Sequence, residues 1–405
     1  MTFILAVKTG GILNIKSESE LINLDELITK CRKGIKSVVL ERSETLRETG
    51  AAIGVFPNGW RALHQLGIDS SLRSTAIPML RAVDTWIDKG TVRETPFSTG
   101  EARCLRRNDL IEALANELPL GAIRFGCQAV SVHFETSTST TVLQLHSGGS
   151  IKAKVVIGCD GANSMIANFI GLKPTRPFSR SAVRGLTVYP DGHGYNPEFS
   201  RIRKGKHLVG RIPIDDKTVY WFFVLQGTQQ DAEISKDPES IREMSLNMAS
   251  SYPKDIVEMI KNSELSSLSL TRLRYRAPWD LLSGSFRREA VTVAGDAWHV
   301  FGPFLGQGGS AALEDAVVLA RCFSKKMNNF GESRIGLSEE KAREALDEYL
   351  KERRFRVLQL SLRTHLTGSL LVGDLSFLSR LVCLVLMVIL FRDPLRHTRF
   401  DIGQL

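Results

Sequence analysis

The chain has 405 residues, 43% of them hydrophobic and 24% charged, which is ordinary for a globular protein and long enough for two or three domains around a sizeable core. Its 53 basic residues against 44 acidic ones give a net charge of +9, favouring anionic partners such as a pyrophosphate, a pyridine nucleotide or an acidic membrane surface. The basic residues are dispersed, with no zinc-finger spacing and no aromatic-glycine RNA motif, which argues against nucleic-acid binding.

In chain order, Phe3 to Val7 is an apolar run too short for a signal-peptide core. Ser37 to Glu41 (SVVLE) is a short apolar run ending in a carboxylate, the pattern of a parallel strand buried on both faces. Gly50 to Asn58 (GAAIGVFPN) is expected as loop and Gly59 to Leu66 as a short helix. Asn108 to Leu118 reads as a helix capped by Asn108 or Asp109, with apolar residues on one face. Ala129 to Glu135 and Thr141 to His146 alternate around a polar turn, and Gly148-Gly149 leads into a strand over Ile151 to Ile157. From Phe178 to Gln226 the chain is rich in Val, Tyr, Trp and Phe, including Thr218 to Leu225 (TVYWFFVL), as expected of an antiparallel sheet. Pro238 to Ala249 and Lys254 to Lys261 are helical with Pro253 as the break. Leu268 to Tyr275 is a further strand. After Ser338 come helices, first charged and amphipathic over Glu339 to Gln359, then apolar.

The last apolar stretch, Leu381 to Phe391, lies between Arg380 and Arg392. A spanning helix needs about 20 residues, so a buried or surface-lying helix is the expectation and membrane contact the lesser reading. The six cysteines (Cys31, Cys104, Cys127, Cys159, Cys322, Cys383) form no C-x-x-C pair or metal-ligand spacing. Scattered thiols without a secretory signal point to a reducing compartment, the cytoplasm or else a plastid, and no metal site is expected.

Chemistry concentrates in Val291 to Ala320, VTVAGDAWHVFGPFLGQGGSAALEDAVVLA. A β-branched run stops at Gly295-Asp296, a loop with Gly302, Pro303, Gly306, Gly308 and Gly309 follows, and a helix-like run begins at Ser310. Such a segment suits a polyhydroxylated anion: the carboxylate can take a hydroxyl, while bare backbone N–H groups and the positive helix end face electron-rich atoms. Glu41, at the tip of its strand, is placed to accept ribose hydroxyls, although a strand ending in Glu also commonly marks arrival at solvent. Asp160 and Gly161, in KVVIGCDGANS, fit either a tight turn beside a pyrophosphate or a β-turn with a helix N-cap. Arg107 begins a helix and could hold oxyanions through its planar fork, whereas Arg103 and Arg106 read as solvated. His299 closes a loop and is read as structural.

The Gly295-Asp296 loop resembles the second flavin-contacting motif of the FAD-dependent aromatic hydroxylases, the single-component flavoprotein monooxygenases that include plant relatives of salicylate hydroxylase and zeaxanthin epoxidase. The resemblance implies an α/β fold: a discontinuous FAD-binding, Rossmann-like domain of the glutathione-reductase type over 1–75, 100–175 and 270–335, an inserted antiparallel substrate domain over 76–99 and 176–269, and C-terminal helices over 336–405. It implies FAD contacts at Glu41, Arg42, Arg107, Val130, Asp160, Gly161, Gly295, Asp296, Pro303, Gly306, Gly308 and Gly309. Asp296 would bind a ribityl hydroxyl, Pro303 would wall the isoalloxazine, and the amides of Gly308 and Gly309 would stabilise charge at its N1–C2 edge. It further implies that NADH or NADPH reduces the flavin and that O2 reacts through a flavin C4a-hydroperoxide, hydroxylating or epoxidising a small aromatic or conjugated substrate walled by some of Tyr220, Trp221, Phe222 and Phe223. The family's Asp-Gly motif usually carries an arginine a few residues on; Ala167 stands there.

One family element is missing from the sequence. The only candidate for the G-x-G-x-x-G phosphate loop is Thr9-Gly10-Gly11-Ile12-Leu13, which lacks the third glycine. The interval from Gly10 to Glu41 also exceeds the roughly 20 residues of a dinucleotide fingerprint. Two or three charge-assisted backbone hydrogen bonds at about 1.5–3 kcal/mol each amount to ~3–9 kcal/mol, roughly two to six decades of FAD affinity. The preferred expectation is a version that has lost its phosphate loop through an alternative start or a wrongly joined exon, and so an FAD-deficient or inactive form. The other is a substitute fold with Thr2 to Val7 as the first strand.

Overall fold

Short β-branched runs without polar alternation belong in strands covered on both faces, and here they build the first of two large sheets. The computed structural model describes residues 3–8 (backbone), 37–46, 52–97, 101–328, 338–372, 375–391, 393 and 395–405. Across the first sheet lie Arg287–Arg288, Val291–Val293, Val156–Gly158, Phe3–Lys8, Ser37–Glu41 and Ile123–Arg124. All neighbours are parallel except the Arg287–Arg288 edge. Phe3–Lys8 takes a central place as the first strand, whereas Thr9 to Leu13 lies outside the described residues. Val7 registers with Gly158, Gly158 with Val293, and Lys8 with Glu41. Four parallel strands therefore finish together at one edge, the carboxyl edge where open α/β sheets bind ligands.

The second sheet runs Ser269–Tyr275, Arg176–Val188, Thr218–Gln226, His207–Pro213, Glu198–Lys204, Arg81–Trp86, Thr91–Pro96. It is antiparallel except where Glu198–Lys204 meets Arg81–Trp86. The period of two sorts its aromatics. Trp221 and Phe223 turn to one face and are fully buried with Ile241 and Ile256 of the helices Pro238–Ala249 and Lys254–Lys261. Phe222 and Val224 turn to the other and meet Phe178 and Phe304. The fold is α/β, with strands and helices mixed along the chain.

The structure departs from the sequence expectations in local ways. Ala52–Val55 is a strand rather than loop, because its buried side chains pair in register with Arg103–Arg106. The Ile151 to Ile157 run is two strands: Ser150–Ala153 completes the three-stranded meander, and Val156–Gly158 enters the parallel sheet. The helix after the strand Arg103–Arg106 is Arg107–Asn116, with Arg106 at its N-cap and no side-chain cap bond, so Asn108 and Asp109 lie inside its first turn. The strand Arg103–Arg106 turns straight into it, leaving no residue free to cap. Arg103 and Arg106 are half-buried: Arg103 donates to the carbonyls of Arg73 and Ala76, and Arg106 to Thr218 Oγ1. The charged helix extends over Glu339–Val372, and the apolar helix over Phe377–Leu390 leaves most of its side chains in solvent instead of burying them. No described helix is long and apolar enough to cross a membrane.

One close approach fixes the site edge. A Cβ on Gly158 would stand 2.5 Å from Ile166 Cβ, so only glycine lets the helix Met165–Phe169 lie directly on the strand. Gly158→Ala is expected to lower the unfolding free energy by about 1–3 kcal/mol through overpacking, read as a lower urea midpoint at unchanged slope.

Candidate functional site

The carboxyl edge gathers Glu41, Asp160 and Asp296 from three strands far apart in sequence. Glu41 is buried, and its carboxylate accepts from the Ser43 N–H at 2.8 Å. Its carbonyl takes the Cys127 N–H at 2.9 Å and that of Ser43 takes Gly126 N–H at 3.0 Å. These bonds tie the edge to the meander strand Ala129–Glu135, on which Val130 is exposed. Arg42 is half-buried next to Glu41.

Asp160 lies two residues beyond Gly158 and closes the following turn. Its carboxylate accepts from the N–H groups of Met165 at 2.7 Å and Ile166 at 3.2 Å, and from the Ser164 hydroxyl. Ser164 caps the same helix by accepting from Ala167 N–H at 2.7 Å. Gly161 takes φ +79°, a left-handed turn position. Asp160 thus acts as a helix-start ligand within a tight turn at the edge. Burial pushes its carboxyl up to about 6, against the pull of Ser164 and the backbone donors. Ala167 is buried inside this helix.

Beyond Val291–Val293, Gly295 adopts φ 59°, ψ −142°, which side chains rarely adopt. Asp296 follows, 6% exposed, and no group among the described residues donates to its carboxylate. Buried carboxylates are normally paired, so this one is a candidate acceptor of ligand hydroxyls. The turn Pro303–Leu305 ends at Gly306 with φ 60°, and Gly308 opens the helix Gly308–Asn328 with open space where a Cβ would be. Gly309 is pressed instead against Ile53 Cδ1. The strand Ala52–Val55 is thereby packed on the start of this helix. Arg107 is buried at the start of its helix, whose preceding strand pairs with Ala52–Val55.

Beneath the loop lies a buried polar network that the sequence reading did not pick out. Glu314, Asp315, Arg353 and His299 are each 0% exposed. Arg353 donates to Asp315 Oδ1 at 2.8 Å, to Glu314 Oε2 and to the Ala311 carbonyl at 3.0 Å. Arg356 donates to Glu314 Oε1 at 2.8 Å and to the His397 carbonyl at 2.6 Å. Asp315 Oδ2 accepts from Gly295 N–H at 2.9 Å and lies 2.6 Å from His299 Nε2. Asn58 Nδ2 donates to Glu314 Oε1 at 2.6 Å and to Gln307 Oε1 at 3.0 Å. Burial alone would raise both carboxyls. Arg353 and Arg356 beside Glu314, and His299 and Arg353 beside Asp315, hold them below the ordinary carboxylate range. The signal was present: two adjacent acids inside an apolar helix run require buried cations. His299, which the sequence pattern reads as structural, is buried against Asp315.

The model of the FAD binding domain family matches residues 30–361. Monooxygenase 1 of Arabidopsis thaliana is 49% identical over 92% of this chain and 94% of its own length. The 3-amino-4-hydroxybenzoate 2-monooxygenase PtmB3 of Streptomyces platensis is 27% identical over 78% of both chains. Among solved structures, Klebsiella pneumoniae HpxO complexed with FAD and uric acid shares the fold at TM-score 0.75 and 19% identity, over 95% of this chain and 92% of that one.

Replacing Arg353 by Met removes the cation that two buried carboxylates share, leaving Glu314 to Arg356 and Asn58 and Asp315 to His299 and the Gly295 N–H. The expected cost at pH 7 is about 3–5 kcal/mol, measured by urea unfolding. Both carboxyls are depressed in the folded state, so their stabilising contribution is present above the unfolded value near ~4 and is lost as pH falls through the folded one. The deficit of the variant therefore shrinks below about pH 4, and Glu314→Gln with Asp315→Asn restores most of it at pH 7.

Proposed function

Because the chain belongs to the FAD-dependent monooxygenases of the FAD binding domain family, we propose that it binds FAD at this carboxyl edge and uses NADH or NADPH with O2 to oxygenate a small aromatic or conjugated substrate. The observation that carries the reading is Asp296, a buried carboxylate that accepts from no group among the described residues, followed by glycines and an open helix start. That combination fits a ligand bearing hydroxyls and an electron-rich edge.

In this reading Asp296 holds ribityl hydroxyls, with Gly295 supplying the backbone angle that aims it. Glu41 takes the adenosine ribose, flanked by Arg42 and Val130. Arg107 and the Asp160-Gly161 turn attend the pyrophosphate; because the Asp160 carboxylate is occupied by Met165, Ile166 and Ser164, its part is to shape backbone. Pro303 and Gly306 fix the loop, and the amides of Gly308 and Gly309 offer donors to the ring edge. When bound, FAD supplies the reductive activation of O2. The protein's part is to bind, orient and exclude water.

The substrate wall is assigned to the sheet face bearing Phe222. Phe178 stands edge-on to Phe304 of the Pro303–Leu305 turn, centroids 5.4 Å apart, and 4.4 Å from Tyr275. This aromatic cluster sits where the second sheet touches the glycine loop, and a planar substrate suits it. Relatives named for 3-amino-4-hydroxybenzoate and solved with uric acid support a small aromatic ring as the substrate class.

The purified full-length chain is expected to be yellow with stoichiometric FAD, and Asp296→Ala to weaken FAD binding by roughly 10- to 150-fold, the loss of one charged hydrogen bond. Candidate phenols and heteroaromatic acids are then screened for NADH- or NADPH-dependent oxygenated product. Peroxide without product would make the chain a reductase or oxidase. A colourless chain that gains FAD only when a G-x-G-x-x-G segment is grafted ahead of Lys33 would make it the inactive form.

A further inference from the structure

The helix Phe377–Leu390 is unlike any other among the described residues. Its sequence, FLSRLVCLVLMVIL, contains no acidic residue, and its first turn is capped by Ser376, whose hydroxyl accepts from Ser379 N–H at 3.2 Å. Ten large apolar side chains are exposed, from Leu386 at 37% to Phe377 at 85%, with Leu378, Val388 and Ile389 all above 60%. At 100° per residue these ten cover about 240° of the helix circumference. Only a narrow stripe through Cys383 and Met387, continuing to Phe391, is partly covered, and Arg363 lies 5.3 Å from the Phe391 ring centroid. Single exposed leucines are commonplace, but a contiguous apolar surface beyond a few hundred Å² marks an interaction site.

We propose that this helix embeds in one leaflet of an anionic bilayer, lying within one face of the membrane. A helix that is apolar nearly all round belongs in a core or in lipid. A protein surface, including a second copy of this chain, covers one side of a helix and would leave much of the 240° arc wet, whereas fluid acyl chains surround it. Fourteen residues rise only about 21 Å, short of the ~30 Å hydrocarbon layer, so the helix enters without crossing. Arg380, Arg392, Arg396 and Arg399 flank or punctuate the segment against three carboxylates, Asp374, Asp393 and Asp401, which leaves it net basic by one charge. Arg380 and Arg396 are exposed, and basic side chains at such a boundary reach back to lipid phosphates.

The test is flotation of the purified full-length protein with vesicles of phosphatidylcholine alone or with phosphatidylserine added. The wild type is expected to float with both and at least several-fold more with the anionic vesicles. Leu384→Glu with Val388→Glu is expected to cut the floated fraction at least tenfold while leaving the circular dichroism spectrum and thermal midpoint unchanged. Arg380→Glu with Arg396→Glu is expected to erase the anionic preference alone. Wild-type protein that stays in the soluble fraction with both vesicle types overturns the proposal. So does a dimer, seen by light scattering, that the Leu384→Glu, Val388→Glu pair converts to monomer with no flotation in either form.

Discussion

The arrangement of the site depends on one guanidinium. Arg353 has no exposure and stands between Glu314 and Asp315, which have none either. Desolvating three charges is costly, and it succeeds only where every donor finds an acceptor. Arg353 meets that condition: its Nε, Nη1 and Nη2 all donate, and Asp315 passes the constraint on to the Gly295 N–H and His299. A hydrocarbon core could stabilise the same volume equally well. The ionic version adds direction, because each bond fixes an angle. It fixes them on the residue before Asp296, whose backbone conformation side chains rarely adopt.

The second constraint is register. Parallel pairing aligns Val7, Gly158 and Val293, and pairs Lys8 with Glu41, so three carboxylates separated by more than a hundred residues along the chain arrive at one edge. They then take different work. Asp160 turns inward to a helix start, Glu41 is partly occupied by Ser43, and Asp296 accepts from no group among the described residues. Identical chemistry is divided by local backbone, with glycine at 161 and 295 setting where each side chain is aimed.

Much of this was legible in the sequence. Buried parallel strands announced themselves as SVVLE and VTV, the alternation in TVYWFFVL sorted Trp221 and Phe223 from Phe222, and the helices at Pro238–Ala249 and Lys254–Lys261 carried their own proline punctuation. Local pattern could not show partners. Ala52–Val55 is a strand only because Arg103–Arg106 lies beside it, and Ser150–Ala153 and Val156–Gly158 look like one run until two different sheets claim them. The Glu314–Asp315 pair was visible in the text of the chain, but the cations that satisfy it lie some forty residues on. The apolar C-terminal helix was found by composition; its exposure depends on tertiary packing that composition does not encode.

The wide separation of the parts also has a kinetic meaning. The edge needs strands from Phe3 to Val293, and the network holding the glycine loop draws in Arg353, Arg356 and the carbonyl of His397 from still further along the chain. Such non-local contacts form late, since loop closure must precede any gain from them. On a ribosome the earlier strands would emerge with their carboxyl edge unsupported. The site would become competent only once nearly the whole polypeptide had been released, which would make ligand loading a post-translational event and leave the nascent sheet in need of protection until then.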